Sequence, residues 1–78
     1  MIKIHEVKKG EGYYSLSFSE GAQLYGAIII ILEDDLVIEF MKFKRDDIIN
    51  ITLENNPEEF IKLKEKYLDV ILKSVDKK

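Results

Sequence analysis

The chain contains no cysteine and no tryptophan, one proline, one histidine and one arginine. Each shortage closes a class of function. Without cysteine there is no disulfide framework, no thiolate metal site and no thiol nucleophile. His5 is the only imidazole and has no His or Cys companion for a metal cluster or a Cys/His relay, so an edge-strand or solvent-facing histidine is expected. Twelve residues are basic and one of these is Arg45, which leaves eleven lysines. Arginine is the preferred bidentate reader of phosphate and guanine, so a net charge of -3 with a single arginine argues against nucleic acid as the main partner. The longest apolar stretch, Leu24 to Leu32, is too short for a bilayer, which needs about 20 residues. Met1 to Val7 has no apolar run of the secretory type. These features together predict a single, cytoplasmic, non-membrane domain over residues 1–78, without metal or cofactor.

What the chain does have is alternation. Ile2 to Lys8 reads as a strand, with Ile2 and Ile4 on one face and Lys3, His5 and Val7 on the other. Lys9-Gly10-Glu11-Gly12 is a hairpin loop, because two glycines permit positive φ. Tyr13 to Ser19 returns, with Tyr14, Leu16 and Phe18 opposite Tyr13, Ser15, Ser17 and Ser19. That clean contrast predicts one wet face. A polar connection over Ser19 to Gln23 leads into the central hairpin.

Leu24 to Phe43 is the most apolar part of the sequence. Ala27 to Leu32 shows no alternation, the pattern of a strand buried on both faces. Glu33-Asp34-Asp35 is the turn, and in the returning strand both Leu36/Ile38/Phe40 and Val37/Glu39/Met41 are largely apolar. Gly26 predicts a bulge or a close approach. Ile48 to Glu54 reads as a fifth strand, with Ile49, Ile51 and Leu53 on one face.

The helix has the strongest local signals. Asn56 suits the N-cap, Pro57 the first helical position, and Glu58 and Glu59 the positive end of the dipole. Glu59 completes a pattern like a capping box. The predicted span is Pro57 to about Ser74, with Asp69 and Lys73 spaced to pair and a charged tail over 76–78. At 100° per residue the apolar arc covers roughly 200°, wider than a helix on one sheet requires. Lys64 falls inside it and must extend its stem or meet a carboxylate.

The fold expected is therefore α+β: about five antiparallel strands (residues 2–54), strongly bent or barrel-like, followed by one C-terminal helix. One helix covers one sheet face. The doubly apolar hairpin then requires either a closed barrel or a second chain on the other face.

Candidate chemistry is sparse. The acidic turns Glu33-Asp34-Asp35 and Asp46-Asp47 bracket one strand, which puts them at opposite ends of it and argues against a shared cation. Asn50-Ile51-Thr52 matches a glycosylation acceptor but lies in a predicted strand. No phosphate loop, dinucleotide fingerprint, nucleophile elbow or zinc spacing is present, so no enzyme is expected. The leading expectation is a protein-interaction module that binds itself as a homodimer or higher assembly. Its contacts are predicted at Ile29, Ile31, Val37, Met41, Tyr67 and Val70 of the central hairpin and helix. The alternative is a nucleic-acid contact through Lys8, Lys9, Lys42, Lys44 and Arg45 around Phe43.

Tyr25 to Leu72, with its Asp47-Ile48 strand entry and closing helix, resembles the second half of bacterial pleckstrin-homology-like and GRAM domains. That resemblance implies a small-ligand or lipid-head-group module, although seven strands do not fit in this chain. The strand order and closing helix are also similar to small archaeal chromatin proteins with an SH3-like barrel, which are strongly basic where this chain is acidic. Neither likeness carries a site residue over.

Overall fold

The computed structural model describes residues 1–77. Five strands follow in chain order: β1 (Ile2–Lys9), β2 (Tyr13–Glu20), β3 (Gln23–Ile31), β4 (Leu36–Lys44) and β5 (Asp47–Ile51). The helix α1 (Pro57–Asp76) closes the chain. Each strand pairs antiparallel with the next, giving a single meander in the order β1-β2-β3-β4-β5. The sheet is somewhat curled but stays open, so of the two expected arrangements the closed barrel is not the one adopted.

The registers assign every strand residue to a face, because residues directly opposite in an antiparallel pair point the same way. Leu16 opposes Ala27, Ala27 opposes Phe40, and Phe40 opposes Ile51. These lie on the inner face and are buried with Phe18, Ile29 and Ile38. Helix α1 supplies the other wall through Phe60, Leu63, Tyr67, Ile71 and Val75, at the three- and four-residue steps of one helical stripe. It touches both edge strands, β1 and β5, and so crosses the whole sheet. Aromatic contacts join the layers. Phe18 packs on Tyr67 with ring centres 5.0 Å apart, and Phe40 on Phe60 at 5.8 Å.

The helix starts where the sequence places it. The Asn56 side chain accepts a hydrogen bond from the Glu59 N–H at 3.4 Å. The reciprocal half of the capping box is absent. The Glu59 carboxylate goes instead to Lys42 at 3.3 Å, and the Asn56 N–H donates to the Thr52 carbonyl. At the other end the helix continues two residues past Ser74, so Asp76 is helical and not tail; Lys78 lies outside the described residues. Asp69 and Lys73 form no ion pair among the described residues.

Two strands depart from expectation. In β1 the register shifts between Ile4 and Glu6, so His5 is an extra residue on the edge strand. A bulge of this kind reverses the alternation beyond it. Val7 therefore opposes Leu16 and joins Ile2 and Ile4 on the inner side, not His5 and Lys3 on the outer. The bulge foreseen at Gly26 is absent, because the β2–β3 and β3–β4 registers run unbroken past it. Gly26 serves close approach instead. A Cβ there would sit 3.0 Å from the Met41 methyl and 3.2 Å from the Phe43 ring.

β5 ends at Ile51, three residues before the predicted Glu54. The cause is a side-chain turn. The Thr52 N–H donates to Asn55 Oδ1 at 2.9 Å, and the Asn55 N–H returns to Thr52 Oγ1 at 3.2 Å. The Asn55 amide also donates to the Asn50 carbonyl at 2.9 Å. Local bonds of this sort compete with the ladder and peel the chain away. Leu53, expected to continue the strand face of Ile49 and Ile51, is consequently 59% exposed.

Candidate interaction surface

The outer face of the sheet has no covering layer among the described residues. Its apolar members form a band across β3, β4 and the start of β5. Leu24 opposes Phe43, which opposes Ile48; Gly26 opposes Met41; Ile30 opposes Val37. Leu24 is 40% exposed, Ile30 39%, Val37 38% and Ile48 54%. Across β2 the band meets Tyr13 and the serines Ser15, Ser17 and Ser19, which form its polar border. Charges lie at the rim: Lys3, Glu6 and Lys8 on β1, and Glu39 on β4. Met41 and Phe43 fold over Gly26 and are half-buried, which levels the middle of the band.

The six residues expected to make a protein contact do not lie together. Val37 and Met41 are on this outer face. Ile29 and Tyr67 are buried in the chain's own core, under the helix, and offer nothing to a partner. Ile31 has the parity of the inner face, opposite Leu36, and emerges beyond the helix near Leu72 and Val75. Val70 is half-buried on the helix. Sequence reading mixed the two faces because Ala27 to Leu32 shows no alternation. It also missed Leu24, Ile28, Ile30, Phe43 and Ile48. The missing signal was the length of the central turn. Leu32 and Asp35 exchange backbone hydrogen bonds, leaving the two-residue loop Glu33-Asp34. Counting back from that pair puts Ile30 opposite Val37 and Ile28 opposite Glu39.

The five cations of the alternative reading are also scattered. Lys8 and Lys9 sit beside the β1–β2 loop, at the same end of the sheet as the β3–β4 turn. Lys44 and Arg45 sit at the opposite end, at the β4–β5 turn. Lys42 points to the helix side and is engaged with Glu59, and Lys8 pairs with Glu6 at 3.4 Å. No continuous positive track joins them.

His5 is exposed on the edge strand, with Nε2 2.7 Å from Ser19 Oγ. The acidic turns stand at opposite ends of β4, as the strand assignment predicts, and each has a local task. Asp35 Oδ1 accepts the Leu36 N–H at 2.7 Å, and Asp47 Oδ1 accepts the Ile48 N–H at 2.8 Å. Among the described residues no group of three or more His, Asp or Glu side chains is placed to hold a metal ion.

The densest polar cluster belongs to the join between sheet and helix. Tyr67 Oη donates to Glu20 Oε1 at 2.8 Å, and Lys66 pairs with the same oxygen. The hydrogen bond from Lys66, reinforced by Tyr67, holds the Glu20 carboxyl below its usual range. The same bond raises Lys66. Burial, and then the bond to Glu20, push the Tyr67 hydroxyl well above its usual value. The cluster fixes the helix over the end of β2, and Lys66 and Tyr67 also line a cavity of about 460 Å³ together with Tyr25, Glu59 and Lys62.

Among the described residues no helix is long and apolar enough to cross a membrane. No protein family, curated protein or solved structure matches the chain.

Proposed function

We propose that this chain is a small, non-catalytic interaction module whose open sheet face pairs with a second copy of itself. The carrying observation is the apolar band Leu24, Ile28, Ile30, Val37, Met41 and Phe43 on a face that no element among the described residues covers. Contiguous apolar surface of this kind on a small domain marks an interaction site. Five strands about 4.8 Å apart and roughly 20–25 Å long present about 500 Å² of flat face. Two such faces bury upward of about 1,000 Å², enough for a specific contact. The rim is self-complementary. Stacking that exchanges left and right brings Lys3 and Lys8 of β1 toward the Glu39 side of the other copy. The assembly would have four layers, helix-sheet-sheet-helix. The absence of cysteine fits work in a reducing compartment, the cytoplasm.

The test is absolute mass by light scattering over a range of concentrations, on the native chain and on Val37→Lys with Met41→Lys. The reading expects a dimer that the double substitution converts to a folded monomer. A native chain that is monomeric throughout would sink it.

A further inference from the structure

The early end of β5 has a consequence for β4. β5 pairs with β4 only from Phe40 to Lys44, so Leu36 to Glu39 have β3 on one side and, among the described residues, no paired strand on the other. Which backbone groups face that side follows from the turn. Leu32 and Asp35 form the hydrogen-bonded pair, and pairs alternate along an antiparallel ladder. Val37 and Glu39 therefore bond to β3, while Leu36 and Ile38 aim their N–H and C=O groups at the open edge. Asp35 takes the Leu36 N–H. The Ile38 N–H and C=O and the Leu36 C=O remain. Beneath them is a groove of about 410 Å³, whose walls include Ile38, Leu53, Phe60 and the Lys64 side chain. Glu39 and Glu54 also line it, so it holds two carboxylates against one ammonium.

We infer that this edge is a strand-addition site for an extended segment of another protein, running antiparallel to β4 in line with β5. Open edges bind extended peptides by main-chain hydrogen bonds, and alternate side chains provide selectivity. The residue opposite Ile38 points to the helix side, where Phe60 and Leu53 favour an aliphatic side chain. Its neighbours point outward on the face of Glu39, and with Glu54 lining the same groove they favour lysine or arginine. The preferred segment is thus about five residues of alternating basic and aliphatic character, the span of the free edge plus one residue. This site shares Val37 and Glu39 with the border of the outer face, but its main-chain groups lie at the strand edge and do not depend on self-association.

The test uses the blocked peptide Thr-Lys-Val-Lys-Val-Lys-Thr. Fluorescence anisotropy gives affinity, and backbone amide shifts give location. Binding should move the amides of Leu36 to Glu39. Replacing the peptide's lysines by glutamates should weaken binding by about tenfold. Glu39→Lys with Glu54→Lys should reverse that preference while leaving the thermal midpoint near the native value. Methylating the two valine nitrogens, which removes the peptide's edge-facing donors, should abolish binding. The inference is overturned if the methylated peptide binds equally well, or if the native peptide leaves the Leu36 to Glu39 amides unmoved. It is also overturned if the Ile38 amide of the peptide-free protein loses its protection on dilution, which would show a second copy already on the edge.

Discussion

The two faces of this sheet are built from similar residues and meet different surroundings. Along β4, Ile38 and Phe40 on the inner face are buried, while their immediate neighbours Val37 and Glu39 on the outer face are exposed. Along β3, Ala27 and Ile29 are buried, whereas Ile30 is exposed to 39%. Where the helix lies over the sheet, parity separates a core isoleucine from a surface one; Ile31 keeps the inner parity but lies beyond the helix and is exposed. Chemistry does not separate the faces; the helix does, because Phe60, Leu63, Tyr67, Ile71 and Val75 cover only one of them. The comparison teaches that apolar composition beyond what the helix can use is retained on the far side. Within the helix the same surplus shows, with Ile61 and Leu72 exposed at the flanks of the buried stripe.

The sharpest way to break the comparison is to truncate adjacent residues on opposite faces. Phe40→Ala removes a ring packed against Phe60 and should cost roughly 3–5 kcal/mol, read by denaturant unfolding. Met41→Ala, one residue on, should cost about 1 kcal/mol or less in a dilute sample, where the outer face is wet. Equal costs would mean that the outer face is already packed in the monomer. The next effect concerns β1. Deleting His5 removes the extra residue and leaves Ile4 opposite Phe18, Glu6 opposite Ser17 and Val7 opposite Leu16, a regular ladder with Val7 still on the inner face. We expect the deletion to cost about 1 kcal/mol or less, against roughly 1–2 kcal/mol for Val7→Ala, the scale of withdrawing a valine side chain from the core. A deletion as costly as Val7→Ala would contradict this register.

The smallest effect tests the join at the end of β2. Glu20 is held below its usual carboxylate range by Lys66 and Tyr67. Its folded value is depressed, so its contribution is present above the unfolded carboxylate range and is lost as pH falls through the folded value. The raised Lys66 behaves in the opposite sense: its contribution is complete below the unfolded lysine range and is lost as pH rises through the folded value. Glu20→Gln should therefore flatten both the acid and the alkaline limbs of the stability profile relative to the native chain. Thermal midpoints measured across pH would reveal it, and parallel profiles would contradict it.

Much of the fold was legible in the residues. Alternation marked the strands of the first hairpin, the two apolar runs around Glu33-Asp34-Asp35 marked the central one, and Asn56-Pro57-Glu58-Glu59 marked the start of the helix. The expectation of one covered and one uncovered face came from the width of the helix stripe and the doubly apolar hairpin. What escaped was geometry that composition does not encode. The β1 bulge inserts an exposed histidine with no glycine to mark it. The end of β5 is set by the Thr52–Asn55 side-chain exchange, although Leu53 continues the apolar alternation. The interface was misassigned at Ile29 because an unbroken isoleucine run gives no parity of its own; only the two-residue loop fixes it. The two faces of β3 were each recognised as apolar, but which isoleucine belonged to which could be read only from the register.

The account rests on the outer face being covered by a second copy. The measurement that tests this most directly is light scattering of the native chain and of the Val37→Lys, Met41→Lys variant across a wide range of concentration. A native dimer alongside a folded monomeric variant is the predicted result. A native chain that stays monomeric at every concentration, or a dimer indifferent to both lysines, would contradict it.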